Sequence, residues 1–108
     1  MYVSVTGLTV HPGQMGRFRL FTLRCVWQAW RAPGNRRVSL RKRGDVYHTL
    51  TAWEDRESML AYLKAGPHME AMRAYREIGH GSVLGFETDT MPRWEDALAR
   101  WARDGREL

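Results

Sequence analysis

The chain has 108 residues, 44% of them hydrophobic and including five Trp and three Phe, and it carries a formal net charge of +5 at pH 7. That is enough apolar material for one compact core, so a single domain spanning residues 1–108 is expected. The lone Cys25 excludes an intrachain disulfide, and no basic-then-apolar leader or run of about twenty apolar residues occurs, so a cytoplasmic protein without a membrane segment is the expectation.

Tyr2 to Val10, rich in Val and Thr, reads as a first strand, and His11-Pro12-Gly13 as a turn. Gln14 to Trp30 reads as a helix that is apolar on much of its surface, closed by Ala32-Pro33-Gly34-Asn35. Val38, Leu40 and Lys42 then alternate with Ser39, Arg41 and Arg43 as a second strand, and Gly44-Asp45 supplies a tight hairpin turn. Val46 to Trp53 is the third strand. Its apolar face carries Val46, His48, Leu50 and Ala52, and Tyr47, Thr49, Thr51 and Trp53 form the other.

Asp55 is placed to cap the next helix, with Glu57 and Ser58 in its first turn. Pro67 has no amide hydrogen and fits the first position of a new helix, so two helical pieces are expected, Asp55 to Lys64 and Pro67 to Glu77, meeting at a kink by Gly66. His68 stands just after the break, one turn before Met72, and both side chains share a face. Ser82 to Thr88 reads as a fourth strand. Pro92 opens a tail helix in which Trp94, Leu98 and Trp101 form an apolar stripe that something must cover.

This order, β-α-β-β-α-β with a C-terminal helix, is the ferredoxin-like α+β arrangement. A four-stranded sheet with helices on one side leaves its second face bare. Strands that are apolar on both faces then predict a homodimer in which two sheets face each other.

Charge is unevenly spread. Residues 1–44 hold nine Lys or Arg and no acid, whereas residues 45–108 hold eight bases and twelve acids. The segment from Arg31 to Arg43 suits either a grip on phosphate or another anion, or an edge strand blunted by charge. No aromatic residue lies between Arg31 and Tyr47 to stack a base, which favours the edge and makes a nucleic-acid partner the weaker reading.

Among candidate groups, His48 on the apolar strand face is a general base, a ligand, or a hydrogen-bonded core histidine. Trp53 reads as a structural plug, while Trp27 and Trp30 divide between core and dimer contact or line an aromatic pocket. Arg24 precedes Cys25, but adjacent helical residues point about 100° apart, so thiolate activation does not follow. Arg73 and Arg76, near Glu70 and Glu77, read as a solvated ion-pair surface. No glycine-rich phosphate loop, paired metal-ligand spacing or triad order occurs.

Thr51-x-Trp53, Met59, Tyr62, His68, Ala71-Met72-Arg73 and Arg76, in that spacing, resemble the motif of the spheroidene monooxygenase-like proteins and their bacterial relatives in the dimeric α/β-barrel superfamily. Ala32 to Asn35 and Gly85 to Asp89, followed by Pro92-x-Trp94, resemble features of one bacterial group within it. The resemblance implies a ferredoxin-like fold, a barrel made by two subunits and a pocket between sheet and helices. Where the haem-degrading branch carries its Asn, Trp and haem-binding His, this chain has Thr6, Tyr62 and Met72. Haem ligation would therefore fall to His68 or Met72, whereas a lone His near a helix start is more simply a capping or surface group.

Three functions follow. The first is a monooxygenase-like enzyme for an apolar substrate, with His48, Trp53, Tyr62, His68 and Met72 around the pocket, Trp27 beside it, and Arg24 steering an anionic group. The second is a non-catalytic dimeric module that binds a small apolar or aromatic ligand, or nothing, and the third an anion or nucleic-acid binder using the basic segment.

Overall fold

A computed structural model describes all of residues 1–108. Strands β1 (Tyr2–Val10), β2 (Asn35–Arg43), β3 (Val46–Trp53), β4 (Gly79–Glu87) and β5 (Arg106–Glu107) form one antiparallel sheet in the order β2-β3-β1-β4-β5. Helices α1 (Met15–Arg31), α2 (Arg56–Leu63) and α3 (Gly66–Ile78) stand on one face, and α4 (Trp94–Asp104) on the other. The ferredoxin-like order and the C-terminal helix are as the sequence predicts.

The alternation in β1 and β3 builds a core on each face. Val3, Val5, Leu50, Ala52 and Phe86 point to the α4 side, where they bury Ala97 and Leu98. Trp53 points to the other side and packs with Ala29, Met59 and Tyr62. Each large aliphatic side chain taken fully out of water contributes roughly 1.5–3 kcal/mol, so two half-cores of this size are what hold a chain of this length together.

Asp55 caps α2 as its position predicts, accepting a 2.8 Å hydrogen bond from the Ser58 amide. Gly66 adopts φ +42°, a conformation that costs a residue without a β-carbon little, and Pro67 follows at the start of α3. Two strands are longer than expected. β2 begins at Asn35 with an irregularity before Arg37, and β4 begins at Gly79, where Gly79 and Gly81 hide the strand pattern.

The expectation of a bare second sheet face is corrected by α4. Its Trp94, Leu98 and Trp101 lie on that face, the Trp101 ring sits over Gly7 where a β-carbon would fall inside it, and the Trp101 indole donates to the Ser82 carbonyl at 2.9 Å. The helix that needed covering covers the sheet that needed covering. The Trp94 indole donates to Ser39 Oγ at 3.1 Å, and the Arg41 guanidinium lies 5.8 Å from the Trp94 ring. The Glu95 carboxyl is held below its usual range, mainly by its own backbone amide and then by Arg93, Arg41 and Arg43. β2 is thus a charged edge strand, part of whose charge is answered by the acidic start of α4.

Candidate active site

Between the sheet and the α1–α3 layer lies a cavity of about 650 Å³. Its floor is the β1–β3 ladder, whose register sets Ser4 beside Thr51 and Thr6 beside Thr49, four hydroxyl side chains on one wall. Its roof is apolar: Phe18, Phe21 and Val26 from α1, Met69 and Met72 from α3. Arg106, within the short edge strand, and Leu108, just after it, close one end. The volume falls in the range of roughly 300–1,000 Å³ typical of small-molecule sites, and an apolar vessel with a few hydroxyls along one wall is their usual lining.

The break between α2 and α3 is held by a residue that sequence reading passed over. Gln28 of α1 donates through Nε2 to the Tyr62 carbonyl (3.0 Å) and the Ala65 carbonyl (2.9 Å), while its Oε1 accepts from the His68 amide (2.8 Å). One side chain thereby ties carbonyls at the end of α2 and in the turn after it to a loose amide beginning α3. Its consequence is positional, because the residue so anchored is His68.

The His68 imidazole lines the cavity with its ring 4.8 Å from that of Tyr62, and the Tyr62 ring is 5.0 Å from that of Trp53, so three aromatic rings run from the core to the cavity wall. The Tyr62 hydroxyl donates to the Cys25 carbonyl at 3.1 Å. Burial pushes the Cys25 thiol up to about 11 and the Tyr62 phenol well above its ordinary value, so both are protonated at neutral pH. Burial also lowers the pKa of His68, partly opposed by the Leu63 carbonyl, and the ring is neutral at pH 7. His68 Nδ1 is enclosed without a hydrogen-bond partner, as is Trp53 Nε1. An orphaned buried nitrogen costs about 1–3 kcal/mol.

His48 shares the lowered pKa, again mainly from burial. When these histidines refuse protons that the unfolded chain accepts, stability is complete above the ordinary imidazole value of 6.5 and falls as pH drops below it. Urea midpoints measured from pH 7.5 down to about pH 5 should therefore decline, and His68→Gln should flatten the decline.

Three of the residues expected around the pocket come together at the cavity: Tyr62, His68 and Met72. Trp53 is fully buried one layer behind Tyr62. The other three are placed elsewhere. His48 is on the opposite sheet face, edge-on to Trp101 (centroids 4.8 Å apart), with Nδ1 3.3 Å from the Thr6 carbonyl, the hydrogen-bonded core histidine of the plainer reading. Arg24 pairs with Glu70 at 3.6 Å on the surface, and Trp27 points outward. Trp30 is exposed as well, so neither tryptophan of α1 belongs to the core of the chain. Glu70 and Glu77 pair with Arg24 and Arg17 of α1 and not with Arg73 or Arg76, tying the two helices together. No group of three or more His, Cys, Asp or Glu side chains is arranged to hold a metal ion.

A family model described as antibiotic biosynthesis monooxygenase matches residues 1–75. No curated protein sequence matches. Among solved structures, SnoaB from Streptomyces nogalater, described as a cofactor-independent oxygenase, superposes with a TM-score of 0.70 at 23% identity, covering 85% of this chain and 97% of its own. Rv0793 from Mycobacterium tuberculosis gives 0.77 at 9% identity, with 85% and 98% covered. NE2512, a Nitrosomonas europaea protein of unknown function, gives 0.71 at 16% identity, with 85% and 92% covered. At such identities the likeness is one of fold, and it extends over nearly the whole length of each of these proteins.

Proposed function

The chain belongs to the antibiotic biosynthesis monooxygenase family, and from that premise we propose that it is an oxygenase acting on an apolar, oxygen-bearing aromatic substrate held between the sheet and α1–α3. The observation that carries the reading is the cavity itself. Its roof offers apolar surface to a ring system, its floor offers Ser4, Thr6, Thr49 and Thr51 to carbonyl or hydroxyl oxygens, and neutral His68 stands in its wall. Cys25 and Tyr62 stay protonated, so neither puts a negative charge against an electron-rich substrate.

In this reading the imidazole nitrogen that carries no proton takes one from an acidified C–H of the substrate. SnoaB is described as cofactor-independent; by analogy, the substrate carbanion supplies the electrons to O2. The new C–O bond forms on that carbon, and the second oxygen leaves as water with the two hydrogens, so a CH2 between aromatic rings and one O2 give one C=O and one H2O. An oxygen electrode with purified protein and a panel of such polycyclic compounds tests this: consumption of O2 with one oxygen atom gained by the product is expected. Saturable binding without consumption would leave only a binding module. A haemin Soret band that His68→Ala abolishes would replace the direct reaction with O2 by a haem-bound one.

The proposal includes a cytoplasmic homodimer. Because α4 occupies the face that two paired sheets would bury, a dimer of facing sheets has to carry α4 between the sheets or exchange it between subunits. Light scattering should give twice the 12.6 kDa chain mass.

A further inference from the structure

The cavity uses only one side of α1. On the opposite side Leu20, Leu23, Trp27 and Trp30, spaced by three, four and three residues, form a line along the helix and are 53%, 69%, 61% and 71% exposed. Leu40, 51% exposed, lies on the face of edge strand β2 that looks toward α1, as alternation from the packed Val38 requires. Isolated exposed leucines need no explanation, but five large apolar side chains across two adjacent elements do.

Cations flank this surface. Arg17 and Arg24 are taken up by Glu77 and Glu70, whereas Arg19, Arg31 and Lys42 pair with no carboxylate, and the Arg31 guanidinium lies 4.8 Å from the Trp27 ring. No acid occurs in residues 1–44, and no helix is long and apolar enough to cross a membrane. We propose that this face of α1, with Leu40, docks on an anionic lipid surface, Trp27 and Trp30 entering the headgroup zone while Arg19, Arg31 and Lys42 meet lipid phosphates.

Two features favour lipid over protein. A second copy of α1 would set arginine against arginine, since the helix has no acidic residue to answer them. A single acidic helix would occupy one seam, whereas this face presents two tryptophans, the side chain whose ring is apolar and whose N–H is polar. The inference stands apart from the oxygenase reading, because docking needs no substrate; its link to that reading is that α1 is also the cavity roof.

Sedimentation with vesicles of phosphatidylcholine, with and without phosphatidylglycerol, tests it. Binding to the anionic vesicles alone is expected, weakening as salt rises, with a blue shift of tryptophan emission. Trp27→Ala with Trp30→Ala should cut partitioning about tenfold or more, and Arg19→Gln with Arg31→Gln about fivefold for each charge removed. Both pairs are exposed, and circular dichroism confirms that the variants fold. The proposal is overturned if the native protein ignores phosphatidylglycerol vesicles, or if the tryptophan variant binds them equally. It is also overturned if those substitutions disperse an oligomer, or if only an acidic amphipathic peptide binds, since the face would then be a protein contact.

Discussion

Replacing His68 by alanine should lower turnover by about 10²- to 10⁴-fold, the span usual for loss of a positioned proton acceptor. Binding of the apolar substrate should change little, because the roof and the hydroxyl floor are untouched. The effect on folding should be small by comparison, under about 2 kcal/mol, because the side chain gives up a ring contact with Tyr62 but relieves a nitrogen that has no partner. Initial rates of oxygen uptake and a urea melt of the same preparation separate the two quantities. A stability loss above that figure with activity retained would make His68 a structural residue.

Trp53→Ala should be the most damaging substitution for folding. The side chain is fully buried, packs on Ala29, Met59 and Tyr62, and backs the ring that supports His68. Removing such a ring costs about 3–5 kcal/mol, against a total stability of about 5–15 kcal/mol for a domain, so the variant should unfold at much lower denaturant concentration. Trp53→Phe should cost far less, since it keeps most of the packing and removes the unpartnered indole N–H. Chemical denaturation followed by far-ultraviolet circular dichroism distinguishes them.

What the sequence disclosed, and what it withheld, has a physical logic. The side chains of β3 alternate between its two faces, the Asp55 cap and the Gly66-Pro67 break act locally, and all three are legible from a few neighbouring residues. Helix α1 is apolar around most of its girth, so periodicity alone could not say that Phe18, Phe21 and Val26 face the cavity while Trp27 and Trp30 face outward. Gln28 was invisible because its three partners lie 34 to 40 residues away. The hydroxyl floor needs the β1–β3 register, which places Ser4 by Thr51 and Thr6 by Thr49 and cannot be read from either strand by itself. The stripe of α4 was recognised as needing a cover; that the cover is this chain's own sheet depends on Gly7 leaving room for Trp101.

The cavity as a substrate site is tested most directly by the methionine methyl resonances. Met59, Met69 and Met72 line it, whereas Met1, Met15 and Met91 lie elsewhere, so the chain carries three reporters and three internal controls. On titrating methyl-labelled protein with a polycyclic aromatic phenol, the first three resonances should shift together and saturate with one dissociation constant, and the other three should hold still. Shifts that never saturate, or that leave Met59, Met69 and Met72 unmoved, would contradict the account.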